Sequence, residues 1–151
     1  MSEPSKIALV TGASRGLGFA TAAELGARGY HVIALARTVG GLEDLADKIE
    51  AAGGTCTLVP LDITDEGGLQ RMAMSIFERW GKLDLVVHCA AHGVPLSPVH
   101  HIAEKDFDKA MAVNARATQR LIAMVDPLLR PVNGTAIFMD DRREGQKFFG
   151  T

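Results

Sequence analysis

Thr11-Gly12-Ala13-Ser14-Arg15-Gly16-Leu17-Gly18 is the stretch on which the fold turns. Before it stands Ile7-Ala8-Leu9-Val10, an unbroken apolar run of the kind that forms a strand buried on both faces. After it, from Gly16 to about Arg28, Gly18, Ala22 and Leu25 recur at helical spacing while Glu24 points away from them. Small residues on that face allow a helix to lie close against a sheet. Gly12 lets the chain turn sharply, and Gly16 and Gly18 let backbone and helix come close to a pyrophosphate and to the sheet. Free N–H groups and the positive end of the helix dipole then favour phosphate oxygens. A glycine pattern alone is equally a tight turn with no ligand, but strand, turn and helix in immediate succession is the context that phosphate binding requires. No Gly-Lys-Ser/Thr is present, which argues against a P-loop NTPase.

Outward from this turn the same alternation continues. His31-Val32-Ile33-Ala34-Leu35-Ala36 reads as a second strand, and Leu42, Leu45, Ile49 and Ala52 mark a second amphipathic helix ended by Gly53-Gly54. Cys56-Thr57-Leu58-Val59 is a third strand stopped by Pro60. Leu69, Met72, Ile76 and Trp80 mark a third helix, with Gly81 after it. Leu83 to Val87 is a fourth strand. One long helix is expected over roughly Glu104 to Leu129, with Pro127 kinking or ending it near its last turn. Thr135 to Met139 is a fifth strand. Strands alternating with helices imply βαβ units, and so a doubly wound, Rossmann-like parallel sheet with helices on both faces. No linker or repeat interrupts residues 1–151, so one domain is expected.

The bulk properties fit. The chain has 151 residues, enough for one sizeable core and too few for two ordinary ones. A net charge of −2 gives no reason to expect a nucleic-acid or anionic-membrane partner. Cys56 and Cys89 have no metal-ligand spacing and read as reduced thiols. No stretch is long and apolar enough to span a bilayer, and the N-terminus lacks a signal-peptide layout; a cytoplasmic location is the default expectation.

The Thr-Gly-x-x-x-Gly-x-Gly spacing resembles short-chain dehydrogenases/reductases rather than the Gly-x-Gly-x-x-Gly of other dinucleotide-binding proteins. The likeness runs through nearly the whole chain. Asp62, in Leu61-Asp62-Ile63-Thr64-Asp65, resembles the family's adenine-side Asp. Asp106-Phe107-Asp108-Lys109 through Val113-Asn114 resembles the family's long fourth helix, and Asn114 its helix-bending, water-holding Asn; as a bare residue, Asn114 is equally a satisfied buried amide. Where the family has Asn-Asn-Ala-Gly this chain has His88-Cys89-Ala90-Ala91, a departure beside the cofactor ribose. The resemblance implies a dinucleotide held by Gly12, Ser14, Arg15, Gly16, Leu17, Gly18, Arg37, Asp62, Ile63, Ala90 and Ala91. NAD-preferring relatives end the second strand with an acid. Here that position is Ala36, followed by Arg37, and Arg15 lies inside the glycine loop. An acid would repel a 2′-phosphate whereas arginine pairs with one, so NADP(H) is expected in preference to NAD(H).

The family's catalytic apparatus is a Ser–Tyr–Lys–Asn system. Only the Asn has a counterpart, Asn114. The single tyrosine, Tyr30, lies between the first helix and the second strand, and no Tyr-x-x-x-Lys exists. Asp140-Asp141-Arg142 stands where the Ser is due. Two expectations compete. In one, these residues are the N-terminal portion of an oxidoreductase acting on a carbonyl or alcohol, inactive as it stands. In the other, they are a shortened protein that binds a nucleotide or a partner without chemistry. Homo-oligomers are common among the relatives that the resemblance invokes. His88, His92, His100 and His101, with Cys89, invite a metal reading, set against the simpler one of a loop beside the cofactor, and no metal is expected. In the tail, Arg142, Arg143 and Lys147 alternate with acids and read as a solvated segment, with Phe148 and Phe149 as apolar exceptions.

Overall fold

The computed structural model describes residues 5–140. Its centre is β1 (Ile7–Thr11), in which every residue is buried. Parallel neighbours flank it on both sides: β2 (His31–Ala36) pairs Leu9 with Ile33, and β4 (Leu85–His88) pairs Val10 with Val87. With β3 (Thr55–Pro60) outside β2 and β5 (Thr135–Phe138) outside β4, the five-stranded order is β3-β2-β1-β4-β5. This is the Rossmann-like sheet that the alternation of patterns predicts.

Side chains alternate across a strand, so the unbroken apolar runs feed two separate cores. Ile7, Leu9, Ile33, Leu35 and Val86 face one layer of helices, α3 (Glu66–Arg79) and α5 (Ala117–Leu129), where they meet Leu69, Ile76, Leu121 and Val125. Val10, Val32, Ala34 and Val87 face the other, α1 (Gly16–Ala27) and α2 (Val39–Ala51), where they meet Ala22, Leu42, Leu45 and Ile49. Asp65 caps α3, its Oδ1 accepting from the Gly68 N–H at 3.0 Å.

Several boundaries depart from the sequence reading, each for a local reason. Pro60 belongs to β3 and pairs with Ala36. It is tolerated because β3 is an edge strand, so no neighbour needs its missing N–H. Residues 83 and 84 precede β4 yet remain tied down: the N–H of Leu83 donates to the Leu128 carbonyl at 2.8 Å and that of Asp84 to the Ile7 carbonyl at 2.9 Å. The expected single helix is three segments in line, α4 (Glu104–Ala110), a wider π turn (Met111–Arg116) and α5. Pro127 lies inside α5 without ending it; the helix closes at Leu129, where the 3₁₀ turn Arg130–Val132 follows. The segment holding Arg142, Arg143, Lys147, Phe148 and Phe149 lies outside the described residues.

Candidate functional site

The chain proceeds from β1 to β2 and β3 on one side of the sheet, then crosses back to place β4 on the other side of β1. Loops leaving β1 and β4 therefore diverge at the carboxyl end of the sheet and open a crevice, the place where doubly wound folds bind ligands. A cleft of about 640 Å³ lies there. It is within the range of small-molecule and cofactor sites.

The glycine turn forms its floor. Gly12 has φ 65° and Gly16 φ 60°, both in the left-handed region. A Cβ on Gly12 would stand 2.8 Å from the Ala90 amide nitrogen, and one on Gly18 would collide with the Gly12 carbonyl oxygen. The two glycines thus let β4 and α1 close onto the loop. No side chain caps the first turn of α1 and no acid lies within it, so its amide end faces the cleft with its positive character uncompensated.

All of Gly12, Ser14, Arg15, Gly16, Leu17, Gly18, Arg37, Asp62, Ile63, Ala90 and Ala91 line this one cleft. The carboxylate of Asp62 accepts from the backbone N–H of Thr64 at 3.0 Å and from its hydroxyl at 2.8 Å. The Thr64 amide, aided by the hydroxyl and by the charges of Arg37 and Lys109, holds the Asp62 carboxyl below the usual carboxylate range.

Asn114 sits in the π turn and is not one of the lining side chains. Its carboxamide makes a double bond-pair with the backbone of His92: Oδ1 accepts from the His92 N–H and Nδ2 donates to the His92 carbonyl, each at 2.8 Å. It thereby fixes the loop after β4, which lines the cleft at His92. The sequence reading of Asn114 as a buried amide is corrected on one point: the residue is exposed, its partners supplied by a neighbouring loop rather than by a core.

The profile of the short chain dehydrogenase family matches residues 6–142. The chain belongs to this family. It is 31 % identical over 135 residues to a fatty acyl-CoA reductase of Acinetobacter baylyi, covering 87 % of this chain and 45 % of that protein. It is 30 % identical over 127 residues to an NADPH-dependent pterin aldehyde reductase of Arabidopsis thaliana, covering 84 % and 52 %. Among solved structures, a metagenomic short-chain oxidoreductase in complex with NADP superposes with a TM-score of 0.83 at 31 % identity, over 88 % of this chain and 61 % of that one. The chain thus spans about half the length of the curated relatives it matches.

One cleft residue escaped the sequence reading, and a second was read only as part of a loop beside the cofactor. Lys109 reaches the cleft from α4 and, like Arg37, acts on the Asp62 carboxylate. One turn before Asn114, it reads in sequence as an ordinary exposed helix cation. His92 lines the cleft with its Nε2 buried and without a hydrogen-bond partner, the one such side-chain atom among the described residues. An orphaned polar atom in a cleft wall is consistent with a bound group completing the site. The other histidines go elsewhere. His100 and His101 meet edge to face, ring centroids 4.2 Å apart, and the His88 ring is engaged by threonines. Among the described residues, no three metal-ligating side chains converge.

Proposed function

We propose that these residues form the cofactor-binding part of an NADP(H)-dependent oxidoreductase acting on a carbonyl or alcohol. The observation that carries the reading is the charge at one end of the cleft. Arg15, Arg37 and Lys109 line it, Ala36 stands at the tip of β2 where an acid would repel a 2′-phosphate, and Asp62 lies among them. The geometry fits such a group: the amide end of α1 and the glycine turn suit a pyrophosphate, Asp62 and Ile63 an adenine, and Ala90, Ala91 and His92 the other ribose. When bound, the cofactor supplies the hydride chemistry. The chain's own residues bind and orient it, and Asn114 holds the loop that walls its far end. The NADP of the superposed oxidoreductase and the NADPH dependence in the name of the Arabidopsis relative support this choice of dinucleotide.

The test is a fluorescence titration with NADPH and NADH. The wild-type chain should prefer NADPH. Arg37→Asp should weaken NADPH about tenfold or more, the worth of a charge-assisted hydrogen bond, while leaving NADH nearly unchanged. Equal loss of both would count against the assignment.

A second reading has its own observation. Asp140-Asp141-Arg142 stands where the family's catalytic Ser is due. A nucleotide-binding module without chemistry would show NADPH binding and no carbonyl reduction. Turnover of a carbonyl with NADPH by these 151 residues would exclude that reading.

A further inference from the structure

β4 ends on His88, a buried residue 6 % exposed, at the position where the resemblance implies an Asn. Nδ1 lies 2.7 Å from the Thr11 hydroxyl, and Nε2 lies 3.0 Å from the Thr118 hydroxyl. The surrounding bonds determine where each proton sits. Thr11 Oγ1 already accepts from the N–H groups of Cys89 and Ala90, both at 3.1 Å, so its own proton is what it has left to offer the ring. Nδ1 is therefore the bare nitrogen and Nε2 carries the hydrogen. Nε2–H donates to Thr118 Oγ1, which in turn donates to the backbone carbonyl of Asn114 at 2.8 Å. One proton arrangement satisfies every member. Burial lowers the pKa of the ring, with no charged side chain contributing, in keeping with a neutral imidazole.

This chain of bonds joins the two walls of the cleft. At one end, Thr11 immediately precedes Gly12, and the amides it accepts from belong to Cys89 and Ala90, both cleft residues. At the other end is the π turn, whose Asn114 side chain holds His92. His88 itself does not line the cleft.

We infer that His88 is a positioning residue: as the neutral Nε2–H tautomer it tethers the Asn114 turn to the strand end beneath the glycine loop and so sets the spacing of the walls between which the dinucleotide fits. An Asn carries its donor and acceptor on one carbon of a shorter side chain. It cannot span Thr11 and Thr118 as the opposed nitrogens of an imidazole do.

The experiment has two arms on the full chain. In the first, the ring nitrogens of ¹⁵N-histidine-labelled protein are read by NMR at neutral pH. His88 should show a bare Nδ1 and a protonated Nε2; the opposite tautomer, or an averaged ring, overturns the inference. In the second, NADPH is titrated into Thr118→Val, Thr118→Ser, His88→Asn and the double variant Thr118→Val/His88→Asn. Thr118→Val and His88→Asn should each weaken binding about tenfold, and the double variant no further than the worse single, because both cut the same chain. Thr118→Ser, which restores the hydroxyl, should bind as the wild type does. Wild-type affinity in Thr118→Val, or losses that add fully in the double variant, overturn the inference. Should His88→Asn fail to fold, the Val and Ser variants still decide. The binding arm rests on the dinucleotide reading above and the ring arm does not. A wild-type chain that binds neither NADPH nor NADH would sink that reading and leave the tautomer to judge this one.

Discussion

Gly12 and Gly29 both hold positive φ, 65° and 93°, yet they should respond differently to a methyl group. Around Gly29 a Cβ would meet nothing, so Gly29→Ala carries only the backbone penalty, about 1–2 kcal/mol. At Gly12 the same strain is joined by a contact of 2.8 Å with the Ala90 amide nitrogen, which is backbone and cannot step aside. Gly12→Ala should therefore destabilise by more than Gly29→Ala in urea unfolding and should abolish NADPH binding, while Gly29→Ala keeps it. Lys109 gives a second contrast. Lys109→Met should weaken NADPH more than NADH, because the cation lines the end of the cleft that bears Arg37 and Asp62. Equal titrations of wild type and variant would remove Lys109 from the site.

Between elements, the closeness of α1 to α2 is written in one pair of residues. A Cβ on Gly26 of α1 would lie 2.8 Å from Cγ2 of Ile49 on α2. Gly26→Ala should thus destabilise despite alanine's better helix propensity, through overpacking that typically costs about 1–3 kcal/mol. In an Ile49→Ala background, itself costly by about 2–5 kcal/mol, the added methyl meets only the retained Cβ, at 3.4 Å. There Gly26→Ala should cost less than in the wild type, or stabilise. Additive losses in a urea double-mutant cycle would mean that the helices do not meet through this pair. The π turn is the other element-scale device. Asn114→Ala removes both bonds to His92, so amide exchange at His92 should accelerate while exchange in β1 is unchanged.

At the scale of the whole molecule, His31, His88 and Asp62 link stability to pH. Burial lowers the pKa of His31 and of His88 below 6.5, with Arg79 adding to the effect at His31. A ring that is harder to protonate when folded takes up protons first in the unfolded chain. Stability should therefore be complete above pH 6.5 and fall as pH drops from there toward the folded pKa values. The ring of His31 bridges the Thr55 and Thr57 hydroxyls, both at 2.8 Å, on the edge strand β3. Asp62 acts lower on the scale. Its depressed carboxyl contributes stability above 3.8 that is lost as pH falls through the folded pKa. Urea midpoints from pH 8 downward should show the histidine loss first and the carboxylate loss after it. A His31→Gln variant should flatten the first phase, and a midpoint constant between pH 8 and pH 5 would contradict both histidine shifts.

The apolar runs and the glycine spacing determined strand order in the chain, the two-layered core and the floor of the cleft by themselves, because period-2 and period-3.6 patterns and left-handed glycine positions are local properties of the backbone. Arg15 and Arg37 were legible from their places in the glycine loop and after the second strand, and Asp62 only through the family resemblance. Burial was not legible from pattern alone. Thr135-Ala136-Ile137-Phe138 reads much like Ile7-Ala8-Leu9-Val10, yet it is exposed throughout at the sheet edge where β1, at the centre, is buried throughout. The place of Lys109 in the cleft, the orphaned Nε2 of His92 and the bonds from Thr11 through His88 to Thr118 and Asn114 were likewise decided by tertiary structure. Thr11 and His88 lie 77 positions apart in sequence and meet only because β1 and β4 pair, and a hydrogen bond at that separation leaves no periodic trace in the chain.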